Sequence, residues 1–395
     1  MAPDLLLTFN AGSSTVKVGL FEMHGDSVAR IAKGVLDFRA KPVRFHVVEG
    51  PATFDVPLEA EPGEGLAEIM DEAFGWLAEH VDMSRIAVAG HRVVHGGDLF
   101  SGAVRLDAAT TDAIDGLTNL APLHQPQSVR LIRAVQHLRP DLIQTASFDT
   151  AFHRTNPDIV RRFAIPRALG DEGIKRYGFH GLSYKFIAGA VARRFPALAG
   201  GKIVAAHLGS GASVCGMDAG RSQDSSMGFS TLDGIPMATR CGALDPGVLL
   251  HLLGPMGRPL DEVEDILYHQ SGLIGLSGGI SADSRVLLES DAPEAREAIE
   301  VFTLRVAGEI ARLSATLGGL DAIVFTAGIG ENQPAVREAV IARLGFLGAT
   351  LDAAANARNA ETISTAGSRV AVHVIETDEE TVIAEEAVAV LKEGH

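Results

Sequence analysis

Residues Leu5 to Phe21, LLLTFNAGSSTVKVGLF, read as an apolar strand, a tight turn of small polar residues and a second strand whose apolar positions alternate. Ile203 to Met217, IVAAHLGSGASVCGM, repeats the design around the turn Leu208-Gly209-Ser210-Gly211-Ala212-Ser213. Self-similarity of this kind indicates a duplicated unit. Further strands are expected between the first hairpin and about Val56. EGLAEIMDEAFGWLAEH then places Leu66, Ile69, Met70, Phe74 and Leu77 at helical spacing. IAVAG (Ile86 to Gly90) is a short buried strand, and a helix around Ser128 to Leu138 precedes the strand LIQTASF. After a loop-rich passage from Phe152 to Phe179, Pro293 to Leu317 carries a long helical period. AIVFTA (Ala322 to Ala327) and VAVHVI (Val370 to Ile375) read as buried strands. A last helix is expected to start at a capping box formed by Thr377 and Glu380.

Strands alternating with helices indicate an α/β chain. With 395 residues it exceeds one ordinary core, and the repeated hairpin suggests two related domains facing one nucleotide. The expected division is residues 1–149 and 150–380, with the final helix, 381–395, crossing back to the first domain.

Composition narrows the function. An apolar fraction of 46% and 43 glycines describe a well-packed, enzyme-like globular chain without low-complexity tracts. A formal net charge of −16 argues against nonspecific nucleic-acid binding, which needs a basic footprint. Anionic substrates must then find local basic spots. Cys215 and Cys241 lack zinc or redox spacing, and a reduced compartment is the simplest setting. No apolar run approaches the ~20 residues that cross a bilayer, and no leader pattern opens the chain, so a cytoplasmic protein without membrane partners is expected.

The candidate chemistry gathers at turns and strand ends. Gly12 permits close approach, while Asn10, Ser13, Ser14 and Thr15 crowd polar groups into the first turn. Lys17 adds a positive charge on the side of Thr15. Such a turn can meet phosphate, although an ordinary hairpin has the same look. Gly328-Ile329-Gly330, followed by Glu331 and Asn332, reads as a third glycine turn after a buried strand. Arg92 and Arg240 can present forked donors to oxyanions, or form surface salt bridges instead. His180, between glycines in YGFHG, can donate to a phosphoryl group in transfer or simply pack. His91, His95, His124, His153 and His207 invite a metal reading, but the first two come from a strand and turn, not from a helical zinc site. Asn10, Asp149, Asp283, Glu331 and Glu379 supply oxygens suited to magnesium, although at a helix start Glu379 equally favours the helix dipole.

The motifs FNAGSSTVKVGLF, GHRVVHGG, LAPLHQPQ, FDTAFH, YGFHGLS, HLGSGASV, SMGFSTLDG, TRCGALDPG, FTAGIGEN and ETDEET, in this order across nearly the whole chain, strongly resemble the acetate kinase family. The resemblance implies two ribonuclease-H-like domains of the actin-like ATPase superfamily with an interdomain nucleotide cleft. It implies reversible phosphoryl transfer between ATP and acetate, giving ADP and acetyl phosphate, with magnesium or, in its place, manganese. Arg92 and Arg240 would hold the carboxylate and then the developing charge, and His180 would stabilise the moving phosphoryl group. Asn10, Asp149 and Glu379 would position magnesium or its waters. Lys17 and the turn His207, Leu208, Gly209, Ser210, Gly211 would meet nucleotide phosphates. Asp283, Ser284 and Arg285, with Gly328, Ile329, Gly330, Glu331 and Asn332, would hold the adenosine part. Val94, Leu123 and Phe179 would line the acyl pocket. A homodimer formed through the second domain is likewise implied by resemblance alone. Four positions depart from the family pattern: Ser210 and Gln125 for asparagine, Tyr184 for histidine, Thr231 for proline. They keep a propionate or butyrate kinase open as an alternative. A non-catalytic ATP-driven switch and a metal-dependent hydrolase are more distant rivals.

Overall fold

The computed structural model describes residues 4–12, 15–38, 40–59 and 66–393, with the Ala67 side chain excepted. Ser13 and Ser14 of the first turn, and the last two positions of the expected final helix, lie outside the described residues. The chain forms two compact units: Met1–Phe152 with Asp378–His395, and His153–Thr377. Among the described residues no helix is long and apolar enough to cross a membrane.

In the first unit, strands β1 (Leu5–Ala11), β2 (Thr15–His24), β3 (Ser27–Asp37), β4 (Arg44–Glu49), β5 (Ala52–Pro57), β6 (Ile86–Val93), β7 (Val104–Arg105) and β8 (Ile143–Phe148) form one sheet in the order β5-β4-β3-β2-β1-β6-β8-β7. β1 runs antiparallel to β2 but parallel to β6, and β6 is parallel to β8. All seven residues of β1 are buried, because both faces of the sheet are covered, and apolar residues accordingly stand on both of its faces. Leu5, Leu7 and Phe9 pack towards Ile69, Met70, Phe74 and Leu77 of the helix Leu66–His80. Leu6 and Val88 pack on the opposite side against Ala384, Ala387 and Val388 of the final helix, Glu379–Glu393.

That helix starts differently from the expected capping box. Asp378 is the capping residue: its Oδ1 accepts from the Thr381 amide at 3.0 Å and its Oδ2 from the Thr381 hydroxyl at 2.7 Å. The Thr377 hydroxyl bonds Ser183 instead. Both residues have cap chemistry, and packing of Thr377 in the second unit decides between them.

The second unit holds β9 (Lys202–Leu208), β10 (Ala212–Asp218), β11 (Arg221–Ser225), β12 (Ala322–Thr326) and β13 (Ala371–Val374), ordered β11-β10-β9-β12-β13. Its antiparallel β11-β10-β9 followed by parallel β12-β13 repeats the inner order β3-β2-β1-β6-β8 of the first sheet. The echo seen in the two hairpins thus extends to five strands per unit. Helix Pro293–Leu317 packs on β9 and β10 through a buried stripe that includes Phe302, Val306, Ile310 and Leu313. Gly318, in the left-handed region at φ 65°, ends it, and the Gly319 amide closes back on the Ser314 carbonyl.

Candidate active site

Period-two alternation decides what meets at the strand ends of the first unit. On β1, Leu6, Thr8 and Asn10 share a face, and on β6 Val88, Gly90 and Arg92 do. The final helix lies on that face. At Gly90 its approach is so close that an added Cβ would stand 2.7 Å from Ile383 Cγ2 and 3.3 Å from the Ile383 carbonyl oxygen. The helix start, carrying Glu379 and Glu380, is therefore delivered to Asn10 and Arg92.

The resulting group is tightly bonded. Arg92 Nη2 donates to Asp149 Oδ2 at 2.6 Å, its Nε reaches both Asp149 oxygens, and its Nη1 donates to Asn10 Oδ1 at 3.0 Å. The Asn10 amide nitrogen donates to Glu379 Oε2 at 2.8 Å and to Glu380 Oε1 at 2.9 Å. Lys17, which pairs with Asn10 across the hairpin, places its Nζ 3.8 Å from Glu380. Arg30 pairs with Asp378 and lies 3.7 Å from Glu380. Burial disfavours the Arg92 charge, yet Asp149, Glu379 and Glu380 outweigh it and hold the guanidinium above its ordinary value. Burial pushes the Asp149 carboxyl upward, with Arg92 opposing and Glu379 adding to the push.

Four carboxylates (Asp149, Asp378, Glu379, Glu380) thus stand among three cations (Arg30, Arg92, Lys17). An all-oxygen donor set with surplus negative charge fits a hard divalent cation such as magnesium. Among the described residues no group of three or more His, Cys, Asp or Glu is arranged to hold an ion on its own. Magnesium here would draw its remaining ligands from water and phosphate.

In the second unit the β9–β10 turn is the centre. A Cβ at Gly211 would sit 3.0 Å from Arg240 Nη2 and 3.4 Å from His180 Nε2, so two side-chain nitrogens converge on bare backbone. His180 has left-handed backbone, φ 55°, immediately before the helix Gly181–Arg194. Its ring stacks on His207 with centroids 4.3 Å apart, and its Nδ1 lies 2.8 Å from Ser213 Oγ. His207 Nδ1 lies 2.8 Å from Ser183 Oγ. The loop that carries Arg240 is fixed from both sides. Arg240 Nη1 donates to the Thr231 carbonyl at 2.9 Å, and the Ala238 amide donates to the Ser210 carbonyl at 3.1 Å. Gly272, at φ +61°, is required beside this loop, because a Cβ there would stand 2.1 Å from the Met237 carbonyl oxygen.

Other predicted residues are placed less directly. Gly328 to Asn332 is not an open turn but part of a short helix, Ala327–Asn332, in which the left-handed φ of Ala327 makes the corner. The Glu331 carboxylate turns inward, accepting from the amides of Ala327 at 2.7 Å and Thr377 at 3.1 Å. Asp283 caps the helix Ser284–Glu289 through the Arg285 amide and also binds the Arg285 guanidinium at 2.6 Å. Ser284 is buried against Gln333. Val94 and Leu123 belong to the first unit, one buried and the other 43% exposed, whereas Phe179 is buried in the second beside His180. Of the residues outside the initial site reading, Ser213 and Ser183 orient the two imidazoles, and Glu380 shares Asn10 with Glu379. The signal for Ser213 was its place in the repeated turn. Gln125 uses its length to donate to the carbonyls of His95 and Ile114 and to accept from the His95 amide. Cys215 is buried, its thiol pushed up to about 12 by desolvation.

Two such sheets and their turn-borne basic groups mark the class of phosphotransferases with the actin-like ATPase fold. Solved structures agree over full length. A propionate kinase from Francisella tularensis subsp. tularensis SCHU S4 matches with a TM-score of 0.90 and 34% identity, covering 98% of this chain and 99% of that one. The Porphyromonas gingivalis acetate kinase matches with a TM-score of 0.88 and 30% identity, covering 98% and 100%. The chain belongs to the acetokinase family, whose model matches residues 5–385. Among curated relatives, the acetate kinase of Rhodopseudomonas palustris (strain TIE-1) is 46% identical over 96% of this chain and 97% of its own length. That of Rhizobium meliloti is 43% identical over 98% of each.

Proposed function

We propose that this chain is an acetate kinase, transferring the γ-phosphoryl group of ATP directly and reversibly to acetate to give ADP and acetyl phosphate. The observation that carries the reading is the convergence of Arg240 Nη2 and His180 Nε2 over Gly211. Two donors over bare backbone suit a phosphoryl group spreading charge over its oxygens. A carboxylic acid has a pKa of about 4 to 5, so acetate is already a nucleophile at neutral pH. No general base is needed. Asp149, bound to Arg92, serves position rather than proton removal, and alignment with charge neutralisation supplies the catalysis. Arg92 would hold the acetate carboxylate, Lys17 and the His207 to Gly211 turn the phosphates, and Asp283 to Arg285 with Gly328 to Asn332 the adenosine. Val94, Leu123 and Phe179 would line the acyl pocket. Asn10, Asp149 and Glu379 would hold magnesium or its waters, and the ion would supply positive charge to neutralise the phosphates. A cytoplasmic homodimer completes the reading, and light scattering in solution tests the dimer.

The name of the Francisella relative supports one second reading, a preference for propionate, and Thr231 at the Arg240 loop gives it a residue. One methylene in an apolar pocket is worth only about 1–3 kcal/mol, so the two acids are close competitors. ATP- and magnesium-dependent acyl phosphate formation, trapped as hydroxamate, compares acetate, propionate and butyrate by kcat/KM. The highest value is expected for acetate. A higher value for propionate would transfer the assignment to it, and ATP binding without any acyl phosphate would favour a switch.

A further inference from the structure

The neutral imidazole of His180 donates from Nε2 only when Nδ1 is the acceptor, and the structure contains a device that holds it so. Ser213 Oγ lies 2.8 Å from His180 Nδ1 and 2.5 Å from the hydroxyl of Tyr184. Ser213 and Tyr184 are both fully buried, on β10 and on the helix Gly181–Arg194. The direction of the chain follows from counting protons, since each hydroxyl has one to give. Ser213 Oγ is the acceptor within reach of the buried Tyr184 hydroxyl, and burial raises the phenol well above its ordinary value, so the phenol keeps its proton and directs it there. Tyr184 then donates to Ser213. Ser213, having accepted, donates to Nδ1. The remaining imidazole proton is left on Nε2, the nitrogen beside Arg240 Nη2 at Gly211. Stacking on His207 fixes the ring plane, and the hydroxyl chain fixes the tautomer.

We propose that Tyr184 and Ser213 are positioning residues that hold His180 in its Nε2–H form, so that His180 and Arg240 offer two donors to the same phosphoryl oxygens. The proposal rests on the reading of His180 as a donor to the transferred group. Without the chain, the tautomer with a lone pair on Nε2 would face phosphate oxygens and repel them.

The test uses the full-length protein and the variants Tyr184→Phe and Ser213→Ala. Kinetics with ATP and acetate are combined with nitrogen NMR of ¹⁵N-histidine-labelled protein, His180 being assigned from its absence in His180→Gln. In the wild type, His180 is expected as the Nε2–H tautomer. In Tyr184→Phe, a mixture of tautomers is expected, with kcat reduced about ten- to a hundredfold and KM for both substrates within about threefold. An Nδ1–H tautomer in the wild type would overturn the proposal. So would an unchanged tautomer and kcat in Tyr184→Phe. If Ser213→Ala does not fold, Tyr184→Phe carries the test, because it keeps the ring and removes one oxygen. If the wild type makes no acyl phosphate, the assigned reaction fails, while the His180 spectrum still decides the relay.

Discussion

Gly211 is the residue at which a methyl group would test the site most locally. Its φ lies outside the left-handed region, so alanine strains no backbone there, yet the new Cβ would stand 3.0 Å from Arg240 Nη2 and 3.4 Å from His180 Nε2. Gly211→Ala is expected to lower kcat about tenfold or more with the melting temperature nearly unchanged, read by hydroxamate assay and calorimetry on the same sample. Arg240→Ala and His180→Ala are each expected to lower kcat by roughly a hundredfold or more with the fold intact. Near-normal turnover in either would remove that residue from the mechanism. The residue types at Arg92, Asp149, His180 and Arg240 were readable as chemistry because each ends a strand or sits among glycines. What was not readable is which partner each would take. Arg92 binds Asp149 and Asn10, pairings that span many residues and depend on sheet order, and Arg240 binds the Thr231 carbonyl within a loop whose path no period records.

At the scale of elements, the seat of the final helix controls the first unit's charged group. Gly90 lets the helix lie against β6, and the helix start then reaches Asn10. Gly90→Ala is expected to cost about 1–3 kcal/mol, seen as a lower urea midpoint, and to lower turnover as well, since Glu379 moves with the helix. Full turnover with reduced stability would separate the helix seat from catalysis. The repeated hairpin, the helix of Pro293–Leu317 and the buried strands were legible from period alone, because apolar spacing reports directly on which face is covered. The helix over Ala327–Asn332 was not, since a glycine-rich run suits a turn equally well. Only the left-handed Ala327 and the inward Glu331 settle its form. The same limit moved the cap from Thr377 to Asp378.

For the whole molecule, buried histidines tie stability to pH. Desolvation lowers His91, His95 and His153 from the ordinary 6.5 to about 4. The contacts of His91 with Gln144 at 2.7 Å and of His153 with the Phe179 carbonyl at 2.9 Å oppose this shift, and desolvation outweighs them, so the rings are neutral in the fold. Between those two values the unfolded chain takes up protons that the folded chain excludes. Stability should be fully present above about pH 6.5 and fall as pH drops towards 4, each ring adding up to about 1.4 kcal/mol per pH unit. Urea midpoints from pH 4.5 to 7.5 check this, and His91→Leu should flatten the slope. A pH-independent midpoint would show that these rings are not neutral in the fold. The sequence by itself determined the class of fold, through a duplicated hairpin and apolar periods that any compact chain must bury. It also determined the family, through ten collinear motifs. The tertiary structure alone decided how the charged groups pair, which nitrogen of His180 faces Gly211 and which side chain caps the last helix. Local pattern records burial one residue at a time, whereas a hydrogen bond between distant residues exists only when strand order and register bring both partners together.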